Sequence, residues 1–543
     1  MKVKAGGARV SRRDFLVTAG VGAAALAAGR RAAAQDKKTL VVAWDSDIDS
    51  LDPAVFKSQG AYVTVANTTD APIMWKVRPM DGKPGLFRSM PLEWDGHLAE
   101  SWTMEDNGAT MVFKIRRGMK FPSGRPITAQ AFKYSFDRGL LSPGYMKLIF
   151  PTLIQVSAPE QFVARDDYTF AIAMKAPSPM GLDTVALSNN AILDPDAVKA
   201  NATKDDPWAT EWLKRNQASV GPYQLVKNEP GVEIVMEATP GYWRPKPYFD
   251  RVILKLVPNE ADRVLLLKRK AVDLVAGRPG LSPKNVKALE GEAGLKVFSV
   301  PDTTCHYLCM NQKKPPFDNK LVRQAVNYAI PIQAILPNVL FGYGTQMKSP
   351  VPNLTPTHLG DYSPYKHDIA KAKALMKEAG MDRAPIPVDL AIRVGWPTHE
   401  QASVWLQREL EQIGFKVNIV KETDATFRQI ATKGDHQLSI EAWQSWINDP
   451  FYHLTFLFNS KSKFTNLSAY ANPAVDKLID ENMHETSRDK RAAASRDIQK
   501  LVLDDAVWGL LWYENWTRVG TADLVGLEKR WDTFERYYSL KRA

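Results

Sequence analysis

The hydrophobic positions change character partway along the chain. In the first third they come in short runs: Leu40-Val41-Val42-Ala43-Trp44 is apolar and closes on the polar cluster Asp45 to Ser50, the pattern of a strand entering a turn. Thr110 to Arg116 alternates and ends at Gly118, and Thr169 to Met174 does the same before Pro177. Pro, Gly and aromatic residues are frequent from 45 to about 185 and helical periodicity is sparse, which predicts a β-rich stretch.

Further on the period becomes helical. Asn259 caps a run carrying Val264 to Leu267, with Lys268-Arg269-Lys270 at the negative end of the helix dipole. Asp318 or Asn319 opens a helix with Leu321, Val322, Ala325, Val326, Ala329 and Ile330 on one stripe, stopped by Pro331. Asp368 opens another with Ile369, Ala372, Leu375, Met376 and Ala379 on one face, and Gly380 stops it. A strand over Val388 to Val394, a helix from about Glu400 to Gln412 and the alternating strand Phe415 to Ile419 form a βαβ unit, so a parallel or mixed sheet covered by helices is expected. Neither a repeat nor a low-complexity linker separates these regions; short crossings must join them.

The N-terminus reads as an address. Ser11-Arg12-Arg13-Asp14-Phe15-Leu16 leads into a charge-free apolar run from Phe15 to Gly29, then Arg30-Arg31 and the small-residue site Ala32-Ala33-Ala34. Fifteen helical residues rise only about 22 Å, short of the ~30 Å hydrocarbon core, which favours a cleaved signal over an anchor. The paired arginines resemble the twin-arginine export signal, with Val17 where that pattern often has Lys. Residues 1–34 are therefore expected to be removed after export to the periplasm by the twin-arginine machinery.

Charge changes the picture once it is divided. The chain of 543 residues has a net charge of +11, which at face value points to nucleic acid or a membrane surface. Seven basic residues against Asp14 in the first 34 positions account for six of those charges, and the remaining five, spread over the mature chain, name no nucleic-acid partner. Two cysteines exclude a disulfide framework or a Cys-rich zinc module. On a strand, Cys305 and Cys309 share a face about 13 Å apart, too far for a disulfide or one metal ion, while His306 faces the other way and borders a cleft. The nucleophile-elbow, zincin, P-loop and dinucleotide patterns are absent, and no cofactor is expected.

Tryptophans are numerous and bunched. Trp508, Trp512 and Trp516 read as one packed face. Trp443 and Trp446 follow the strand Leu438 to Ala442 and precede Asn448-Asp449-Pro450, where strand ends of open α/β sheets line a ligand crevice.

The order of short motifs resembles the family-5 extracellular solute-binding proteins that serve ABC importers for peptides, nickel and opines. The matching motifs are Leu51-Asp52-Pro53, Leu98-Ala99-Glu100-Ser101-Trp102, Phe113 to Arg116, Phe121 to Gly124, Ile127-Thr128-Ala129, Gly221-Pro222-Tyr223 and Tyr242-Trp243. Asn311 to Phe317, Val322 to Ala325, Glu378-Ala379-Gly380, Ile413-Gly414 and Trp443 with Asp449-Pro450 continue the series. The resemblance implies a type II (cluster C) α/β periplasmic-binding fold: lobe I over 35–52 and 186–300 with a β-rich subdomain inserted at 53–185, lobe II over 301–508, and a return to lobe I over 509–543. Hinges are expected near Ser299 to Thr304 and Trp508 to Trp512. It implies a monomer that closes on a peptide-like, opine-like or oligosaccharide solute and presents it to an inner-membrane ABC permease.

Peptide-binding members of that family place an acid, partner of the peptide's α-amino group, four positions before the Asp-Pro proline; here that position is Trp446. A buried ammonium without an ionised partner is costly, so Asp449 or Asp45 must substitute if free-amine peptides bind. Trp443, Trp446 and Trp396 are candidates for stacking on the ligand, and Arg393 either holds a carboxylate or is a solvated strand residue. Asn67, Thr68 and Thr69 either line the cleft from a loop or form a turn. Two rival readings are an exported glycoside hydrolase, which needs two acids roughly 5–9 Å apart, and a chaperone-like binder of unfolded segments.

Overall fold

The computed structural model describes residues 38–543 apart from 279 and 464. The export signal read at 1–34 lies outside the described residues.

The locally coded elements form where their caps and stops stand. Helix Glu260–Lys268 starts at Asn259, whose side chain accepts from the Ala261 and Asp262 amides. Helices Lys320–Ala329 and Ile369–Glu378 are capped in the same way by Asn319 and Asp368. Gly380 and Gly414 take positive φ at the stops where a side chain would strain the backbone. Ile386–Arg393 and Phe415–Glu422, joined by helix Pro397–Gln412, pair in parallel along their whole length, as the βαβ reading requires.

One eleven-stranded sheet runs through the molecule. In its first half Thr39–Trp44 lies parallel to Arg251–Leu256 and to Leu274–Val275, and Glu233–Ala238 and Tyr223–Glu229 extend the edge antiparallel. The second half holds Phe415–Glu422, Ile386–Arg393 and Leu438–Trp443. Two long antiparallel strands, Leu295–Met310 and Trp508–Thr521, belong to both halves. Residues 295–301 pair with 515–521, and 305–309 pair with 508–513, with a register slip between Pro301 and Cys305. A bulge of this kind bends a strand and frees its ladder groups. Asp302 takes up one of them, the Thr303 amide at 2.7 Å, and also accepts from the Thr304 hydroxyl at 2.8 Å and Lys529 at 2.8 Å. The outward crossing thus falls within the Ser299 to Thr304 span read from sequence. The return falls at Glu514–Asn515, later than Trp508 to Trp512, because both residues pair with the lobe II part of the facing strand and the Trp512 indole packs in the lobe II core.

The apolar side chains divide accordingly. One core holds Leu40, Val42, Val252 and Trp516 of lobe I; another holds Leu308, Val326, Leu390 and Trp512 of lobe II. The largest fills the inserted subdomain and runs on into the lobe II helix Pro450–Phe458. The insertion is also less purely β than the sequence pattern predicts: the four-stranded sheet of Ala99–Glu105, Thr110–Ile115, Thr169–Ala173 and Phe162–Asp166 is covered by helices Ala129–Leu141 and Met146–Ile154.

Both of its boundaries lie later in the chain than the predicted 53 and 185. Helix Gln59–Thr68 packs Ala61, Val63 and Val65 into the lobe I core, and the chain leaves lobe I near Asp70 and rejoins it near Gly221. The two ends touch there: a Cβ on Gly221 would meet the Thr68 carbonyl carbon and the Thr69 nitrogen at 2.4 Å, which explains the glycine of the Gly-Pro-Tyr motif. Asp52 of the Leu-Asp-Pro motif ties lobe I to the insertion through a two-point ion pair with Arg138, at 2.7 and 2.5 Å and fully buried.

Candidate functional site

Beside the two crossings lies a cleft of about 730 Å3, open solvent included. Lobe I contributes Gly277 and Arg278, the crossing strand supplies Glu514 and Trp516, and lobe II contributes Trp396 to Thr398. The sequence reading missed Arg278. Its signal was a Gly-Arg-Pro-Gly turn immediately after the two-residue strand Leu274–Val275, at a strand end where crevices form. Gly277, at φ +109°, is required because Asp45 occupies the space of a Cβ, with a carboxylate oxygen 2.7 Å away.

Arg278 reaches across the cleft. Its Nη1 donates to Gln444 Oε1 at 2.5 Å, and Gln444 returns to lobe I by donating to the Asp532 carbonyl at 2.7 Å and to the Thr533 hydroxyl. The other terminal nitrogen, Nη2, is buried with no hydrogen-bond partner; the nearest carboxylate, Glu514, stands at 4.0 Å. The Trp396 ring lies 5.5 Å from the guanidinium. The Trp516 Nε1–H is a second buried donor without a partner in the cleft wall.

A chain of polar groups backs the cleft. His306 bonds Glu514 through Nε2 at 2.9 Å and His399 through Nδ1 at 2.9 Å. With Nε2–H donated to the carboxylate, Nδ1 of His306 accepts from His399 Nε2–H, and His399 Nδ1 is left unpartnered. Burial holds both imidazoles below their ordinary pKa, His399 well below, despite the pull of Glu514 on His306. Burial would raise Glu514, but the His306 hydrogen bond and the charge of Arg278 keep it below the usual range. Asp302 behaves likewise, with Lys529 outweighing its burial.

The residues singled out from sequence separate into two groups. Trp396 lines this cleft, and His306 lies fully buried behind it, its ring 6.2 Å from the Trp396 ring. Trp446 lies where the three units converge, its ring 4.6 Å from Tyr145 of the insertion and 4.9 and 6.1 Å from Tyr62 and Phe534 of lobe I. Trp443 pairs with Cys305 in the sheet and packs on Tyr452 and Phe456 of its own lobe, half-buried. Arg393 is no solvated strand residue: its guanidinium lies 2.9 Å from buried Glu441, 3.4 Å from Asp424 and over the Phe427 ring, so its charge is already matched.

Asp449 is a correction. Its carboxylate is already engaged as a structural group, capping helix Pro450–Phe458 by accepting from the Phe451 amide and pairing with Arg491 at 2.5 Å. Asn67, Thr68 and Thr69 are another. They form no loop but end helix Gln59–Thr68, where the two threonine hydroxyls donate to the Thr64 and Val65 carbonyls. Asn67 donates to the Val63 and Glu535 carbonyls and accepts from the Tyr537 amide, pinning the C-terminal segment. Asp45 accepts from the Gly280 amide and the Ser46 hydroxyl.

Comparison with known proteins agrees with this architecture. The family described as bacterial extracellular solute-binding proteins, family 5 Middle, matches residues 93–465. The protein named "Probable D,D-dipeptide-binding periplasmic protein" in Escherichia coli K12 is 29% identical over 496 residues, 91% of this chain and 92% of that one. A Helicobacter pylori periplasmic binding protein solved with the peptide STSA superposes with a TM-score of 0.81 at 22% identity, over 93% of this chain and 98% of the other. An Agrobacterium binding protein solved with mannopinic acid gives 0.78 at 21% identity, over 93% and 99%. With the two lobes, the paired crossings and the cleft between them already in view, the chain belongs to the family-5 bacterial extracellular solute-binding proteins and is the substrate-binding component of an ABC transporter.

Proposed function

We propose that this protein captures a small peptide-like or opine-like solute in the periplasm and hands the closed complex to an inner-membrane ABC permease. The observation that carries the reading is the cleft itself: Arg278 of lobe I bonds Gln444 of lobe II, which bonds back to Asp532 and Thr533, so contacts that hold the lobes together sit beside the space a solute would fill. A ligand touching both lobes favours the closed population by its differential affinity, and the permease reads that shape. The named ligands of the relatives, a D,D-dipeptide, a short peptide and an opine acid, set the size class.

Capture rather than hydrolysis is supported by the acids of the cleft. A glycosidase needs one carboxyl raised to act as a general acid, whereas Glu514 and Asp302 are both held low. Export as a monomer through the twin-arginine machinery, with removal of residues 1–34, rests on the Ser11 to Leu16 motif and the Ala32-Ala33-Ala34 site.

Mass spectrometry of solute co-purifying with periplasmic protein, followed by thermal-shift titration, tests the function. A true ligand at ~100 Kd adds about 2.7 kcal/mol to stability. Catalytic turnover of the bound solute, or the absence of any saturable small ligand, would refute it. Replacing Arg12 and Arg13 by Lys should abolish export if the address is read correctly.

A further inference from the structure

We propose that closing lobe II onto the inserted subdomain takes up a proton on the carboxyl of Asp183, so that solute capture tightens as the medium acidifies and weakens as it passes neutrality. This rests on the two-lobe capture reading above and names a group that sets its closing equilibrium.

The insertion meets lobe II through one continuous apolar core that runs into helix Pro450–Phe458. At this interface the Tyr145 and Tyr452 hydroxyls bond each other at 2.8 Å, and the Trp446 ring lies 4.6 Å from Tyr145. Opening the lobes separates these pairs. Asp183 sits on the short helix Gly181–Val185, packed on strand Ile73–Pro79 and on helix Met146–Ile154, which Tyr145 precedes. Its Oδ1 accepts from the Trp75 indole at 2.6 Å and the Trp94 indole at 3.1 Å, while no described residue donates to Oδ2.

Both indoles belong to the insertion and move with it. They stand opposite each other on paired strands, so their charged neighbours Lys76, Glu93 and Asp95 point to the other face. The adjoining helix offers only Lys147, which is exposed. The charge that bears on Asp183 comes from lobe II: Asp449, the cap of helix Pro450–Phe458, held by Arg491 and the Phe451 amide. Two carboxylates brought together in a water-poor interface repel, and a proton on the one without a cationic partner removes the conflict.

Burial first, and Asp449 with it, raise the Asp183 carboxyl to about 7 against the pull of the two indoles. Opening admits water and takes Asp449 away but leaves both indoles in place, so the carboxyl returns toward its ordinary range near 4. The closed form thus holds a proton that the open form releases. Its advantage is full below the open-state pKa and is lost as pH rises through about 7, which lowers the ratio of closed to open protein about tenfold between pH 6 and pH 8. A solute that contacts both lobes loses affinity in proportion.

Spin labels on the mature protein test this. Lys147→Cys on the insertion and Lys477→Cys on lobe II are exposed positions, and the native Cys305 and Cys309 are buried beyond labelling. Double electron–electron resonance without solute reads closed and open distances between about pH 5.5 and 8.5. The closed-to-open ratio is expected to fall about tenfold from pH 6 to pH 8, and to lose that fall when Asp183→Asn is added, an amide that keeps an acceptor for both indoles and carries no charge. Asp449→Asn keeps the helix cap and removes the facing charge, and should move the fall to lower pH. Any protons that His306 and His399 release as Arg278 of lobe I approaches them appear with and without Asp183, so the difference between the two profiles isolates its share. Infrared difference spectra against Asp183→Asn should show a protonated-acid carbonyl band that disappears through about pH 7. Identical profiles in the two proteins would overturn the proposal even if the band titrates, because the carboxyl would then be buried by the insertion alone. Absence of the band at pH 6 would overturn it as well. Either result leaves the capture reading standing, since that reading is judged by the co-purified solute.

Discussion

Trp446→Ala is the most direct test of how the cleft closes. The substitution removes three ring contacts, at 4.6, 4.9 and 6.1 Å, each joining lobe II to another unit of the protein. Opening the lobes breaks all three, so they belong wholly to the closed state. Ring pairs in edge geometry contribute about 0.5–1.5 kcal/mol each beyond the area they bury. Allowing for non-additivity, the cluster supplies about 1.5–3 kcal/mol, a factor of roughly ten to a hundred in the ratio of closed to open protein. A solute that contacts both lobes inherits that factor in its apparent Kd. Calorimetry with the co-purified solute should show a Kd weakened at least about tenfold, and small-angle scattering a larger radius of gyration at subsaturating ligand. Trp446→Phe keeps a ring and should lose much less. Unchanged affinity and scattering in the alanine variant would remove Trp446 from the closing face, and equal losses in both variants would show that ring packing is not what it contributes.

Three further outcomes follow from buried charge. Asp52→Ala leaves Arg138 buried without its partner and should destabilise the protein by about 3–5 kcal/mol in urea titration, whereas the double change Asp52→Leu with Arg138→Met should recover most of it. Burial pushes the Asp183 carboxyl up to about 7, although the Trp75 and Trp94 indoles donate to it. Its folded pKa thus exceeds the unfolded value near 4, so its contribution is full below about pH 4 and is lost as pH rises through about 7, by at most about 4 kcal/mol. Asp183→Asn keeps an acceptor for both indoles and should hold its urea midpoint between pH 5 and 8 where the wild type declines. His399 behaves in the opposite sense. Burial, with His306, Arg393 and Arg278 nearby, depresses its pKa, so the unfolded chain binds a proton that the folded one does not. Stability is full above about pH 6.5 and falls as pH drops below it; the neighbouring Glu514 and Asp302 stay ionised over most of that range. His399→Gln, which can still donate to His306, should make this limb shallower by one proton's share while other buried imidazoles, His306 and His453 among them, keep the rest, and an unaltered pH profile would refute the assignment.

How much was legible in the sequence followed the range of the interactions involved. Asn259, Asn319 and Asp368 were readable as caps because a cap bonds amides two or three residues away. The Ile386–Arg393, Pro397–Gln412 and Phe415–Glu422 unit was readable because its period and its glycine stop are local. Asn67, Thr68 and Thr69 misled for the same reason: a polar run looks like a loop, yet here burial deprives the hydroxyls of water and turns them onto carbonyls one helical turn back. Trp508 and Trp512 were assigned to the crossing itself, but the turn back is set by the bulge between Pro301 and Cys305 on the facing strand, which local pattern does not show.

By itself, then, the sequence determined the elements, the ordered motifs that mark the family, and the division of charge between an export signal and a nearly neutral body, since each is written within a few tens of residues. Only the tertiary structure decided which charged groups are spent and which are free. Arg393 and Asp449 looked available and are matched by Glu441 and Arg491, far away in the chain. Arg278, unremarked in a turn, keeps a buried nitrogen without a partner because the residue that fixes it, Gln444, comes from the other lobe. Whether a donor is satisfied depends on contacts between distant segments, and those exist only after the chain has folded and the lobes have met.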